Sequence, residues 1–227
     1  MFRQAKFKVM ALSRASKLDH FYSLCKGGRI LDAGVSGKAR VPGENIFLSS
    51  FRFPGNSYVG LGVEDLTELS CVHPDKHFVT YDGRIFPFGD NEFDWVFSNA
   101  VIEHVGGLAE QVFFLNEMLR VAKNVFFTTP NKYFPVESHT NALFLHWLPG
   151  NIFYDWCSKN RPYWNRSNLQ LLGYQDLDNV IKASNVADYK IFSKYLLIFP
   201  ACRSKYSKSH VRPAIKTFST KTKRARL

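Results

Sequence analysis

Three acidic positions recur at the same kind of place in this 227-residue chain. Asp32 follows Ile30-Leu31, Glu64 and Asp65 follow the apolar run 58–63, and Asp82 follows the run 77–81. The first belongs to Asp32-Ala33-Gly34-Val35-Ser36-Gly37, a glycine-containing turn after a strand. Such a turn lets a ligand approach the backbone closely, and in open α/β sheets ligands lie at the carboxyl ends of the strands. An ordinary strand-ending turn is the alternative. Glu64 is placed to accept both hydroxyl protons of a ribose, and Asp65 is suited to cap a helix. Asp82, before Gly83, can accept from an adenine amino group or serve as a turn aspartate. Two stricter patterns fail. GxGxxG is absent, because Ser36 and Ala39 follow Gly34 where glycines are required, so a nicotinamide dinucleotide loses its main support. GxSxG is missed by one position, where Lys38 stands.

The elements that position these residues alternate between strand and helix, the pattern of a parallel α/β sheet. Apolar spacing predicts a helix over 10–25, with Leu12, Leu18, Phe21 and Leu24 on one face, and a helix over 107–121, with Leu108, Val112, Leu115 and Leu119 on one stripe. A short helix is expected over 65–70. Strands are expected over 29–34, 58–63, 77–81, 93–98 and 125–129, then over 189–192 and 195–199. Segment 35–56 is too rich in Gly, Pro and Ser for either period. Asp176 reads as the N-cap of a helix ending at Ala183. The fold class is therefore α/β, a Rossmann-like doubly wound, mostly parallel seven-stranded sheet with helices on both faces. The organisation is a basic helical segment 1–28, a catalytic domain 29–202 and a basic, disordered tail 203–227. Segment 131–166, rich in aromatics, Pro, His and Asn, reads as a lid. Trp147, Tyr163 and Trp164 within it either line an acceptor pocket or simply pack.

The charge is unevenly distributed. The net +11 breaks into seven bases and one acid over 1–29, eleven bases and no acid over 189–227, and twelve bases against eighteen acids between them. A positive total suggests a polyanionic partner, but the segment with the strand-end acids is itself acidic, so nucleic acid across the site is not expected. The basic ends suit an anionic membrane surface, at about 1 kcal/mol per basic residue near it. Four cysteines at least 45 residues apart, with no CxxC pair, exclude a disulfide scaffold and a zinc ribbon. Cys71, His73 and His77 are close in sequence, but Pro74 breaks the helix that would align them, so no metal is expected. No signal-peptide-like run and no 18-residue apolar stretch are present, so the expected location is cytoplasmic, with peripheral membrane contact through the ends.

Further residues extend the pattern. Phe86-Pro87-Phe88 precedes Phe93-Asp94, and Asn99-Ala100-Val101-Ile102-Glu103-His104-Val105 follows the fourth strand. Together with Ile30-Leu31-Asp32-Ala33-Gly34 and the later acids, this order resembles the class I S-adenosylmethionine-dependent methyltransferases, in particular their ubiquinone-biosynthesis-like, small-molecule branch. The resemblance covers about 29–130 well and the rest loosely. It implies an enzyme that moves a methyl group from S-adenosyl-L-methionine to a small-molecule or lipid-linked acceptor. By the resemblance, Asp32, Gly34 and Ser36 line the methionine end of the cofactor, and Glu64 with Asp65 lies at the ribose. Asp82 and Gly83 lie at the adenine, and Asn99 and Ala100 beneath the methyl. The chain departs from the family at Ser36 and Lys38, which replace glycines. A histidine is the usual base near neutral pH, and His104, just after strand four, is the catalytic candidate, with His139 and His146 in the lid behind it. Two other readings stand beside this one: a binding protein of the same fold without turnover, and an RNA methyltransferase.

Overall fold

The computed structural model describes residues 14–39 and 44–192. Helix α1 runs over 14–24 within that range. It is followed by β1 (Ile30–Ala33), α2 (Ile46–Ser49), β2 (Tyr58–Gly62), α3 (Thr67–Val72), β3 (His77–Thr80) and β4 (Phe93–Asn99). Then come α4 (Leu108–Val121), β5 (Ala122–Thr128), α5 (Gly150–Asn160) and α6 (Tyr174–Ala183). The strands form one parallel sheet in the order β3-β2-β1-β4-β5. The chain steps outward from β1 to β3, then crosses back to lay β4 on the other side of β1. That reversal leaves a crevice between the carboxyl ends of β1 and β4, where open sheets bind ligands.

Both faces are covered, so the central strands are buried on both sides and largely apolar, with Asp32 and Ser98 as buried exceptions. In β1, Ile30 faces one layer and Leu31 and Ala33 the other. One layer is aromatic: Phe21 of α1 makes edge contacts with Phe47, Trp95, Phe97 and Phe126. The other layer packs Val59, Leu61 and Val96 against Phe114, Leu115 and Met118 of α4 and Val180 and Ile181 of α6. The run Phe86–Phe88 is pinned to α4 by Arg120, which donates to the Phe86 and Phe88 carbonyls and to both Glu117 oxygens. The Phe86 N–H donates back to Glu117. The Arg120 guanidinium holds the Glu117 carboxyl below the usual carboxylate range.

The parallel, doubly wound expectation holds, with differences. Five strands, not seven, are present among the described residues: 189–192 is irregular, and 195–199 lies outside them, as does the tail 203–227. Tyr189 packs against α6 instead, and its hydroxyl donates to Asp178. The buried stripe of α4 is Gln111, Phe114, Leu115, Met118 and Val121, while Leu108 is exposed. Asp176 is the third helical residue rather than the cap; it reaches back to the Gly173 N–H at 2.9 Å. Segment 131–172 holds α5 and a small core of its own, Ala142, Phe153, Cys157 and Leu169. Among the described residues no helix is long and apolar enough to cross a membrane.

Candidate active site

The β1 turn is built around Gly34. Its φ of +103° favours glycine, and a Cβ there would lie 2.2 Å from Val101 Cγ2. The turn is thus pressed against the residues leaving β4. Asp32, on the aromatic face of β1, is buried and accepts a 2.6 Å bond from the Tyr58 hydroxyl. Burial pushes its carboxyl up to about 7, against the lowering effect of that bond.

Glu64 follows β2 and closes on the turn. Its Oε2 accepts from the Gly37 N–H at 2.7 Å and from the Ser36 hydroxyl at 3.2 Å, while Oε1 takes neither. A Cβ on Gly37 would sit 2.5 Å from the Asp65 carbonyl and 3.3 Å from Glu64 Oε2, so turn and acid pack with no room between them. Asp65 accepts from the Thr67 N–H and hydroxyl at the start of α3, which holds its carboxyl below the usual range. Asp82 accepts from the Arg84 N–H, and Gly83 turns the chain with φ +83°. At the end of β4, Asn99 Oδ1 accepts from the Thr128 hydroxyl and from Lys17 Nζ of α1. Ala100 holds a left-handed φ of +58°, a strained conformation for a residue with a Cβ.

His104 ends the short 3-10 turn after β4. Its Nδ1 lies 2.8 Å from the Asn168 carbonyl oxygen, and its Nε2 lies 3.1 Å from His139 Nε2. His139 in turn sets Nδ1 at 2.7 Å from Glu137 Oε1. Burial alone would raise the Glu137 carboxyl. Hydrogen bonds from the His139 ring and backbone and from Thr140 outweigh it and hold the group at about 2. Trp164 lies over both rings, with centroids at 5.5 and 4.9 Å. Behind them Glu103 is 1 % exposed. Its Oε2 accepts from the Thr129 hydroxyl, and its Oε1 is buried without a partner. Burial raises its carboxyl. Lys17, whose ammonium is disfavoured by its own burial, is the nearby cation.

The strand-end residues singled out in the sequence thus come together along one edge of the sheet, with His104 beside them. His146 does not join them: it is buried, with Nε2 at 2.8 Å from the Phe134 carbonyl oxygen. The three lid aromatics divide, Trp147 packing on Phe144 and His146, while Tyr163 stays against Trp164. Lys17 and Glu137 went unmarked in the sequence. A cavity of about 530 Å³ opens at the opposite edge, lined by Gly27, Gly28, Asp94 and Asn124 among others. It lies at the amino ends of β1 and β4.

Residues 63–125 match the family model described as a methyltransferase domain, which bears out the resemblance at the level of the class. No curated protein matches significantly. A solved S-adenosylmethionine-dependent methyltransferase from Methanosarcina mazei shares the fold at 16 % identity. The match covers 73 % of this chain and 82 % of that one, with a TM-score of 0.51. A Thermotoga maritima S-adenosylmethionine-dependent methyltransferase, described as a possible histamine N-methyltransferase, aligns at 16 % identity over 80 % and 74 % of the two chains, with a TM-score of 0.48. Phosphoethanolamine N-methyltransferase 2 of Haemonchus contortus, solved with S-adenosyl-L-methionine, aligns at 18 % identity over 76 % of this chain and 36 % of that one, with a TM-score of 0.49.

Proposed function

We propose that this methyltransferase-domain chain transfers a methyl group from S-adenosyl-L-methionine to a small-molecule or lipid-linked acceptor. The observation that carries the reading is the meeting, at the carboxyl edge of β1, β2, β3 and β4, of the Gly34–Gly37 turn, Glu64, Asp82 and the Asn99–Ala100 bend.

The residues present fit the cofactor. Glu64 offers a carboxylate whose Oε1 is not used by the turn, an acceptor suited to the hydroxyl protons of a ribose diol. Asp82 and Gly83 offer an acid and a backbone bend for the adenine. Asp32, Gly34 and Ser36 are assigned to the methionine end, with Asp65 supporting Glu64 through the start of α3. When bound, the sulfonium supplies an electrophilic methyl, so the protein's main task is alignment, which is worth up to about 7–11 kcal/mol in well-oriented systems. Asn99 and Ala100 would set the floor of the transfer site. Acceptor activation falls to His104, whose ring is fixed by Asn168 and His139.

The basic ends support peripheral contact of the protein with an anionic membrane, which would suit a lipid-linked acceptor. Calorimetric titration with S-adenosylhomocysteine is the direct test. One site per chain is expected, and no binding at millimolar ligand by the folded protein refutes the reading. Binding without turnover over a broad acceptor panel would favour the inactive alternative. RNA binding that falls steeply with salt would favour the RNA methyltransferase.

A further inference from the structure

We propose that Glu103, His104 and His139 form a binding site for a divalent transition-metal ion of the zinc type. The ligand atoms are Glu103 Oε1 and the Nε2 atoms of both histidines, and all three lie within 4.8 Å of one another.

The tautomers carry the argument. His104 Nδ1 faces a backbone carbonyl, which only accepts, so that nitrogen bears the ring proton. His139 Nδ1 faces the Glu137 carboxyl group, which also accepts from the His139 and Thr140 backbone N–H groups, so this ring nitrogen is the donor as well. Both Nε2 atoms are therefore left as the lone-pair ends of their rings, yet they point at each other across 3.1 Å. Two lone pairs at that distance require a cation between them, either a shared proton or a metal ion. Glu103 selects between these. Its Oε1, buried without a hydrogen-bond partner, stands 4.0 Å from His104 Nε2. A proton on the N···N line leaves that oxygen with nothing. An ion takes all three atoms.

The surroundings match those of metal-binding histidines. Ligating imidazoles usually donate the other ring N–H to a carboxylate or a backbone carbonyl, which fixes the ring and raises its basicity. Here one ring has each kind of partner. Ligands about 2.1 Å from a tetrahedral ion stand roughly 3.4 Å apart, so the carboxylate needs to move inward by well under its own length. Two imidazoles with one carboxylate suit zinc, iron or nickel rather than magnesium. Three protein ligands leave coordination positions open, as in catalytic sites. Resting on the methyl-transfer reading, those open positions would take the acceptor's oxygen or nitrogen, making His104 a ligand rather than a free base. The binding claim itself needs no methyl transfer.

The full chain, stripped with a chelator, is titrated with zinc and separately with cobalt(II). One zinc per chain at micromolar affinity or tighter is expected, with a rise in Tm that magnesium does not reproduce. Cobalt should give visible d–d bands without a thiolate charge-transfer band. Glu103→Gln and His139→Asn should each weaken zinc binding tenfold or more. Wild-type protein that binds no zinc, variants that bind as tightly as wild type, or a thiolate band would each overturn the site. Titrating S-adenosylhomocysteine into the same samples separates the two readings. Zinc binding without nucleoside binding removes the methyl-transfer role and leaves the metal site. Nucleoside binding without zinc removes the metal site alone.

Discussion

Asp32 is a carboxylic acid sealed in an aromatic layer, and this makes the protein's stability depend on pH in a defined window. Its carboxyl sits at about 7 in the folded chain against 3.8 for an unperturbed aspartate, with burial as the main cause. Between those values the native state keeps a proton that the unfolded chain has released. Stability therefore falls as pH rises through the window, and the loss is complete above about 7. At 1.36 kcal/mol per unit, the full loss is on the order of 4 kcal/mol, of which about 3 kcal/mol falls between pH 5 and 8. Asp32→Asn removes the titration while leaving an oxygen to accept from Tyr58. Urea unfolding of both proteins at pH 5, 6, 7 and 8, followed by tryptophan fluorescence, yields the difference in stability at each pH. Any constant cost of the amide cancels in the slope. The variant should gain about 3 kcal/mol on the wild type from pH 5 to pH 8. A difference that stays flat, or that moves the other way, refutes burial as the controlling effect at Asp32.

Three further outcomes follow from the same geometry. Glu64→Ala should weaken S-adenosylhomocysteine binding tenfold or more by calorimetry, since the charge-assisted bonds it loses are worth about 1.5–3 kcal/mol; unchanged affinity would move the ribose role to Asp65. Gly34→Ala should destabilise the protein by about 1–3 kcal/mol in chemical denaturation, because it combines a positive φ with a 2.2 Å approach to Val101, and adding Val101→Ala should recover only the steric part. Arg120→Ala, which frees the Phe86 and Phe88 carbonyls and leaves Glu117 without its cation, should cost about 2 kcal/mol, read as a lowered urea midpoint.

The strand-end acids were legible because each terminates an apolar run, and the parallel sheet then brings such ends to one edge. What the sequence hid depends on tertiary choice. On α4, aliphatic spacing pointed to Leu108, Val112, Leu115 and Leu119; the last three do face the core, but the sheet also takes Phe114 and Met118 and leaves Leu108 outside. Asp176 has a capping residue's chemistry, but the helix is capped one turn earlier, at Gly173, so the side chain works backwards. Tyr189 has strand propensity but finds a hydroxyl partner on α6. Glu103 and His104 were visible as neighbours, and His139 as a lid histidine, but 35 residues separate the two rings. Only the folding of 131–172 back over β4 brings them into contact. Nothing in the spacing encodes that.

That contact crosses a seam. His104 belongs to the sheet, and His139 to a segment with a small apolar core of its own, held to the turn after β4 by the Gln170 N–H to the Glu103 carbonyl and by Asn168 to His104. A segment with its own core can detach as one cooperative unit, at a free energy below that of global unfolding. A ligand that grips both rings exists as a bound species only in the docked form. By linkage it raises the cost of detachment by RT ln(1 + [L]/Kd), about 4 kcal/mol at a thousandfold excess over Kd. An ion held by the histidine pair, as proposed above, would therefore clasp this segment to the edge of the sheet.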